Sequence, residues 1–109
     1  MIARTWHAHA SPDKAPSYAD HFTGTVAPSL KRLAGHSGAF LLSREVEGHV
    51  EFLALTLWES RASIEAFAGK DIRRAHVEPE GQAALSSFDD FADHYEVAFT
   101  SAGAADTYP

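Results

Sequence analysis

Residues 49–58, His-Val-Glu-Phe-Leu-Ala-Leu-Thr-Leu-Trp, decide the fold of this 109-residue chain. In an extended strand, alternate side chains point to opposite faces of the sheet. One face of this stretch carries Phe52 and Trp58, and the other carries three leucines. An antiparallel sheet with one face in water shows alternating apolar and polar residues instead. The stretch therefore predicts a strand whose two faces are both covered.

Three further strands are predicted around this one. Residues 39–46 precede it and are joined to it by Glu47-Gly48, a short glycine-containing connection typical of a β-hairpin. The first four of these residues, Ala-Phe-Leu-Leu, are also apolar on both sides. Residues 2–9 and about 91–99 are predicted to be the first and last strands.

The first helical region follows the first strand. Its apolar residues recur at helical spacing and form one stripe, namely Tyr18, Phe22, Val26, Leu30 and Leu33. Pro28 lacks an amide hydrogen and clashes with the preceding turn. We therefore expect a kink, or two helical pieces, near Pro28.

The remaining helices are predicted between the third and last strands. Ser60 is a suitable N-cap for a helix that Gly69 ends. Asp71 is predicted to cap a further turn or two, which must end before Pro79. Pro79 is in turn predicted to start a short helix through Leu85.

The order strand, helix, strand, strand, helices, strand predicts an α+β, ferredoxin-like antiparallel sheet with helices on one face. A chain of 109 residues has no spare layer for the second sheet face. We therefore expect a second copy of the chain to cover it, with two sheets packed face to face in a homodimer. Residues 1–99 are predicted to form the single domain, and residues 100–109 a C-terminal tail that is flexible or contacts a partner.

The composition excludes several classes of protein. The chain has no cysteine, and its net charge of −6 includes no concentrated basic surface. Disulfides, thiolate metal sites and nucleic-acid binding are therefore not expected. The seven glycines are scattered, so neither a dinucleotide fingerprint nor a phosphate loop is present. With no apolar run that suits a signal peptide or a membrane span, we expect a cytoplasmic protein that does not enter a membrane.

Four stretches resemble a known family when taken together. They are the opening Met-Ile-Ala-Arg-Thr-Trp, the strand 52–58, the following Glu-Ser-Arg-Ala-Ser-Ile-Glu-Ala-Phe-Ala-Gly, and the closing His-Tyr-Glu-Val at 94–97. Over about residues 1–99 the chain resembles the antibiotic biosynthesis monooxygenase family. The resemblance implies a dimeric α/β barrel made of two ferredoxin-like subunits. The family includes cofactor-independent oxygenases acting on polyketide-like phenols, heme-degrading oxygenases and members of unknown role.

Two residues are candidates for catalysis. Arg4 shares a strand face with Trp6, so Arg4 is predicted to stabilise an anionic substrate oxygen while Trp6 supplies a flat apolar wall. The alternative is a core Trp6 and an Arg4 paired with a carboxylate. His76 lies in the predicted helical turns after Asp71 and is the candidate general base. Heme-degrading relatives place their iron-ligating histidine in this region, whereas a surface role near Pro79 is the alternative.

Three more aromatic residues, Phe67, Trp58 and Tyr95, are predicted to contact the substrate. Core packing is the alternative for Trp58. Tyr95 shares a face with other apolar residues of the last strand, so it is also a candidate core residue with a satisfied hydroxyl.

The other histidines predict no metal site. His7 and His9 share a strand face, but two ligands without a nearby third do not make a site. His21, His36 and His49 lie beside turns or polar positions and are predicted to be at the surface.

These observations lead to three hypotheses for the function. The first is cofactor-independent monooxygenation of a phenolic or polyketide-like substrate by dioxygen. The second is heme binding or degradation. Two observations argue against it: the chain has no asparagine, and the resemblance implies that Trp6 and Phe67 stand where heme-degrading enzymes have an asparagine and a tryptophan. The third is a non-catalytic dimeric domain that binds a small molecule. If Arg4, Trp6 and His76 line one cavity, their polar groups converge as an enzyme requires. Scattered polar groups would favour the non-catalytic domain.

Overall fold

The computed structural model describes residues 1–101, so residues 102–109 of the predicted tail lie outside the described part. In chain order the elements are β1 (Ile2–Ala10), α1 (Ala15–His21), a π-helical turn (Phe22–Val26), α2 (Ala27–Lys31), β2 (His36–Val46), β3 (His49–Trp58), α3 (Arg61–Ala68), α4 (Pro79–Ala84), β4 (Ser87–Phe88) and β5 (Asp93–Glu96). None of the helices in residues 1–101 is long and apolar enough to cross a membrane.

All strand pairs in the sheet are antiparallel. The order is β2-β3-β1-β4, and β5 also pairs with β1, which therefore lies at the centre. Val46 pairs with His49 across the hairpin, and both connecting residues, Glu47 and Gly48, have positive φ angles of 49° and 84°. Positive φ at both positions belongs to a type I′ turn, whose twist suits a two-residue hairpin. The predicted ferredoxin-like α+β fold and the predicted hairpin are confirmed.

The two faces of the sheet differ in what covers them. The helix-facing side chains of β1 and β3 are largely buried, among them Ile2, Arg4, Phe52 and Trp58. On the opposite face the register places Leu55 beside Phe40, which is exposed. The helices therefore cover one face, as predicted, and leave an apolar face open.

The first helical region is interrupted just before Pro28. The amide of Ala27 donates to the carbonyl of Phe22, five residues back, which closes a π-helical turn. Pro28 then occupies the first turn of α2, where its missing amide costs nothing. The predicted division into two helical pieces is confirmed.

The α3 helix begins and ends where the sequence predicts. The hydroxyl of Ser60 accepts from the amide of Ser63, and the hydroxyl of Ser63 accepts from the amide of Ser60, so the two form a capping box. Gly69 follows the last helical residue with a φ of 84°.

Only one of the turns predicted after Asp71 forms, and no helix follows it. The carboxylate of Asp71 accepts from the amide of Arg73 and its carbonyl from the amide of Arg74, but residues 75–78 belong to no helix or strand. Residues 73–75 pair instead with a distant segment. The amide of Ala75 donates to the carbonyl of Asp90, and the amide of Ala92 donates to the carbonyl of Arg73. Extended backbone also suits the residue before Pro79. The last strand is correspondingly shorter than predicted, and the short strand β4 was not predicted.

Gly35 allows α3 to pack closely against the start of β2. Its φ is +86°, and a Cβ atom there would lie 2.4 Å from Cβ of Ser63. Gly24, in the π-helical turn, has no atom within 4 Å of the corresponding position and no positive φ. The two glycines therefore differ in whether the fold requires them.

We expect Gly35→Ala to lower the free energy of unfolding by about 1–3 kcal/mol, because alanine is strained at this φ and must displace α3. Gly24→Ala is the matched control and should be neutral or stabilise by about 0.5–1 kcal/mol, since alanine favours helical backbone. Urea denaturation of both variants measures the difference. Equal stabilities of the two variants would contradict this account of Gly35.

Candidate active site

A cavity of about 60 Å³ lies between the helices and the covered face of the sheet. Its walls come from β1, β3, the interrupted helix, α3, residues 75–78 and α4, and they include Arg4, Trp6, Phe67 and His76. These four predicted site residues thus line one cavity.

Arg4 is a buried cation, with 5% of its surface exposed. Its guanidinium donates to the carbonyl oxygens of Ile72 and Arg74, the latter at 3.2 Å, and lies 3.0 Å from Nε2 of His94. No carboxylate within residues 1–101 forms an ion pair with it. Burial lowers the pKa of Arg4 to about 10, so it stays charged at neutral pH. The alternative of an Arg4 paired with a carboxylate does not hold.

His94 accepts a hydrogen bond from Arg4 and does not line the cavity. Because Arg4 can only donate, Nε2 of His94 carries no proton in this contact. Burial, and then the positive charge of Arg4, lower the pKa of His94. His94 therefore holds Arg4 in place as a neutral imidazole.

Trp6 and Phe67 provide aromatic walls of the cavity that Arg4 also lines. The indole Nε1 of Trp6 donates to the carbonyl oxygen of Asp89 at 2.7 Å, which fixes the plane of the ring. The guanidinium of Arg4 lies 5.8 Å from the ring centre of Phe67. Both rings are partly buried and border the cavity.

His76 lies at the outer side of the cavity. Its ring is edge-on to Phe67, with ring centres 5.5 Å apart, and the residue is exposed. In the part of the chain that the structure describes, neither ring nitrogen has a hydrogen-bond partner. His76 therefore has both ring nitrogens open to a ligand, and it lies in a segment without helix or strand, not on the predicted helix.

Trp58 and Tyr95 do not line the cavity. Trp58 is completely buried, and its Nε1 donates to the hydroxyl of Thr56 at 2.8 Å. Tyr95 pairs with Ala3, whose side chain faces away from the helices, and 58% of its surface is exposed. The interpretation of Tyr95 as a core residue is wrong, and strand alternation explains why it also misses the cavity.

Among the cavity residues that the sequence did not identify as site residues are Tyr18, His21 and Glu78. The expectation that His21 lies at the surface is wrong, because its side chain is 8% exposed. The one sequence signal for the burial of His21 was its position three residues after Tyr18, because residues three apart lie on the same side of a helix. His36, also expected at the surface, is half-buried with its ring edge-on to Trp58.

The histidines of the open sheet face approach one another. Nε2 of His49 lies 3.1 Å from Nδ1 of His9. Across residues 1–101, no group of three or more histidine, aspartate or glutamate side chains is arranged to hold a metal ion.

The depressed pKa of His94 predicts a pH dependence of stability. The unfolded chain takes up this proton near its ordinary pKa of 6.5, above the pKa in the folded protein. The free energy of unfolding is therefore greatest above about pH 6.5 and falls as the pH drops through the folded pKa. Arg61 and Arg73 act in the same direction as Arg4, whereas Asp93 opposes them.

We expect His94→Gln, which keeps an acceptor for Arg4, to lose less stability than the wild type between about pH 7.5 and about pH 5.5. Urea denaturation at the two pH values measures this. A remaining pH dependence is expected, since burial also lowers the pKa of His36. An identical loss in the variant and the wild type would contradict the role of His94.

Solved structures of low sequence identity share the fold. An antibiotic biosynthesis monooxygenase homologue from Deinococcus radiodurans is 14% identical with a TM-score of 0.63, covering 92% of this chain and 95% of its own. The heme-degrader MhuD from Mycobacterium tuberculosis is 21% identical with a TM-score of 0.61, covering 92% and 98%. SnoaB, a cofactor-independent oxygenase from Streptomyces nogalater, is 16% identical with a TM-score of 0.55, covering 91% and 92%.

The family comparison rests on sequence. No curated protein sequence matches the chain at a significant level. The family model for antibiotic biosynthesis monooxygenases matches residues 1–79, which include β1, the hairpin, α3 and the cavity segment up to Pro79. The chain therefore belongs to the antibiotic biosynthesis monooxygenase family.

Proposed function

We propose that the protein is a small-molecule oxygenase that acts on a phenolic or polyketide-like substrate with dioxygen and without a cofactor. The observation that supports this most is the guanidinium of Arg4, a buried charge at the cavity wall with no carboxylate partner in residues 1–101. A buried cation that lacks a counter-ion favours an anionic ligand. A phenolate or enolate oxygen supplies that charge on a flat apolar body.

The proposed reaction begins with the loss of a proton from the substrate to His76. The resulting anion reduces dioxygen directly, while Arg4 stabilises the negative charge on oxygen. For a phenol, a ring C–H becomes a second carbonyl, so that one oxygen atom of dioxygen enters the quinone and the other leaves as water. The four electrons that dioxygen accepts all come from the substrate.

The aromatic walls suit this chemistry. Trp6 and Phe67 offer faces for a planar ring, and the rest of the wall is largely apolar, with Val26, Leu30 and Ala54. An apolar wall excludes water, which strengthens the interaction between Arg4 and a substrate anion. SnoaB, a cofactor-independent oxygenase, has the same fold, which is consistent with the proposal without establishing it.

Heme, which MhuD binds, does not suit the residues present here. Among the described residues that line the cavity, His76 is the only histidine at the Phe67 side, and the chain contains no asparagine to stand opposite it. The residues present therefore do not fit a heme group.

Replacing His76 separates an oxygenase from a binding domain. We expect His76→Ala to lower the rate of oxygen consumption with naphthol or anthrone substrates by about 10²–10⁴-fold, because it removes the general base. Arg4→Lys keeps the charge but loses the planar donor group, so an intermediate loss is expected. An oxygen electrode gives the rates, and thermal unfolding of the same variants shows whether the fold survives.

His7→Ala is the control, since His7 is a partly exposed histidine that does not line the cavity. It should leave the rate unchanged. Unchanged turnover in His76→Ala would remove this residue from the mechanism. Tight binding of phenols with no oxygen consumption by the wild type would favour a non-catalytic binding domain.

We also propose that the protein is a homodimer through its open sheet face. Phe40, Leu42 and Tyr95 are exposed there, beside the half-buried leucines of β3. Monomeric proteins seldom leave so continuous an apolar face in water. A second copy of the same face is complementary to it, because a two-fold axis pairs a surface with itself.

Sedimentation equilibrium at micromolar concentration tests this, and we expect about twice the chain mass of 11.8 kDa. Leu55→Asp should dissociate the dimer, because it buries a charge at the centre of the face. Ala66→Asp, on the exposed side of α3, is the matched control and should remain dimeric. A wild-type monomer would contradict the proposal.

A further inference from the structure

We infer that Tyr18 and His21 form a second polar end of the cavity, which recognises a hydroxyl group on the substrate. The substrate of the proposed oxygenase is then an aromatic compound with an anionic oxygen at one end and a hydroxyl at the other. This inference rests on the proposed function and specifies its substrate class. It concerns residues at the opposite end of the cavity from Arg4.

The two ends are separated along β1. Arg4 pairs with Thr56, whereas Ala8, four residues further along, pairs with Phe52. Tyr18 packs on Phe52, with ring centres 5.1 Å apart. Four residues of strand correspond to roughly 13 Å at about 3.3 Å per residue. The spacing of the two ends along the strand therefore suits a planar ligand whose polar groups lie at its ends.

Trp6 lies between the two ends. It stands midway between Arg4 and Ala8 on the strand, and its ring centre is 6.4 Å from that of Tyr18. Residues 74–78 run in the same direction, since the carbonyl of Arg74 contacts Arg4 and Glu78 lies near His21. The apolar aromatic body of a ligand would therefore lie beside Trp6, with one polar group near Arg4 and another near Tyr18 and His21.

Tyr18 is a buried residue whose hydroxyl has no partner among the described residues. Only 4% of the residue's surface is exposed, it lines the cavity, and its hydroxyl makes no hydrogen bond within residues 1–101. Burial, and then the negative charge of Glu78, raise its pKa to about 12. The hydroxyl is therefore protonated at neutral pH and has a hydrogen to donate. The hydroxyl is not fully enclosed by the protein, so this unpaired donor of a cavity-lining residue is accessible to a ligand group.

His21 supplies the acceptor. Its ring nitrogens lie 3.8 Å from a carboxylate oxygen of Glu78 and 3.7 Å from one of Glu80. Both distances exceed those of hydrogen bonds, so neither carboxylate is hydrogen-bonded to the ring. The α4 helix holds the ring closely, since a Cβ atom at Gly81 would lie 3.3 Å from it. A substrate hydroxyl between these residues accepts from Tyr18 and donates to His21.

The charges at the two ends give the ligand a direction. The Arg4 end is positive, and the His21 end has two carboxylates, Glu78 and Glu80, beside it. An oxyanion is attracted to the first end and repelled from the second. A neutral hydroxyl, which has a hydrogen to donate, is favoured at the second end.

Two naphthols test the inference by equilibrium binding to the full chain. 2,6-Dihydroxynaphthalene has a hydroxyl at each end, whereas 2-naphthol has one. We expect the wild type to bind the diol roughly 4- to 24-fold more tightly, since its two equivalent hydroxyls give a factor of two and one net hydrogen bond roughly 2- to 12-fold more. Tyr18→Phe should reduce this preference to about twofold and leave the affinity for 2-naphthol unchanged, and His21→Leu should reduce the preference in the same way.

Tyr95→Phe is the matched control, because it removes a hydroxyl from the open sheet face and should keep the preference. A wild-type preference of about twofold or less would overturn the inference and leave the proposed function intact. A larger preference that persists in both Tyr18→Phe and His21→Leu would also overturn it. Failure of both naphthols to bind would overturn the inference and the proposed function together, whereas the expected preference without oxygen consumption would support the inference alone.

Discussion

The guanidinium of Arg4 is the constraint on which the rest of the site depends. It is a charge held inside the protein by two carbonyl oxygens and a neutral histidine rather than by any carboxylate of residues 1–101. Carbonyl dipoles offset part of the cost of burial and leave the full charge in place. The same contacts join the central strand β1 to the segment after α3 and to β5. In the proposed function, this charge is available to the substrate anion.

The non-helical path of residues 75–78 agrees with this arrangement. A helix would satisfy the carbonyls of Ile72 and Arg74 internally, whereas a non-helical chain leaves them to accept from Arg4. The amide of Ala75 donates to the carbonyl of Asp90, and the carbonyl of Arg73 accepts from the amide of Ala92. As a result His76 lies beside Phe67 near one end of the cavity, and Glu78 lies beside His21 at the other.

Local patterns predicted the sheet, and distant contacts account for what they missed. Strand alternation placed Arg4 and Trp6 on one face, and a two-residue connection with glycine marked the hairpin, because both signals depend on adjacent residues. The conformation around His76 depends on pairing with residues 90–92, which no local signal reveals. The burial of His21 likewise depends on α4 packing against α1 beside Gly81, some sixty residues later in the chain. Tyr95 was misplaced because the face it occupies is set by its register with Ala3, not by its apolar neighbours.

A crystal structure of the protein with 2-hydroxy-1,4-naphthoquinone tests the central claim most directly. This compound is a flat acid that is anionic at neutral pH and does not consume oxygen. The account predicts its charged oxygen within hydrogen-bond distance of the Arg4 guanidinium, with the ring between Trp6 and Phe67. A ligand bound elsewhere, or a carboxylate side chain found on Arg4 in the complex, would contradict it.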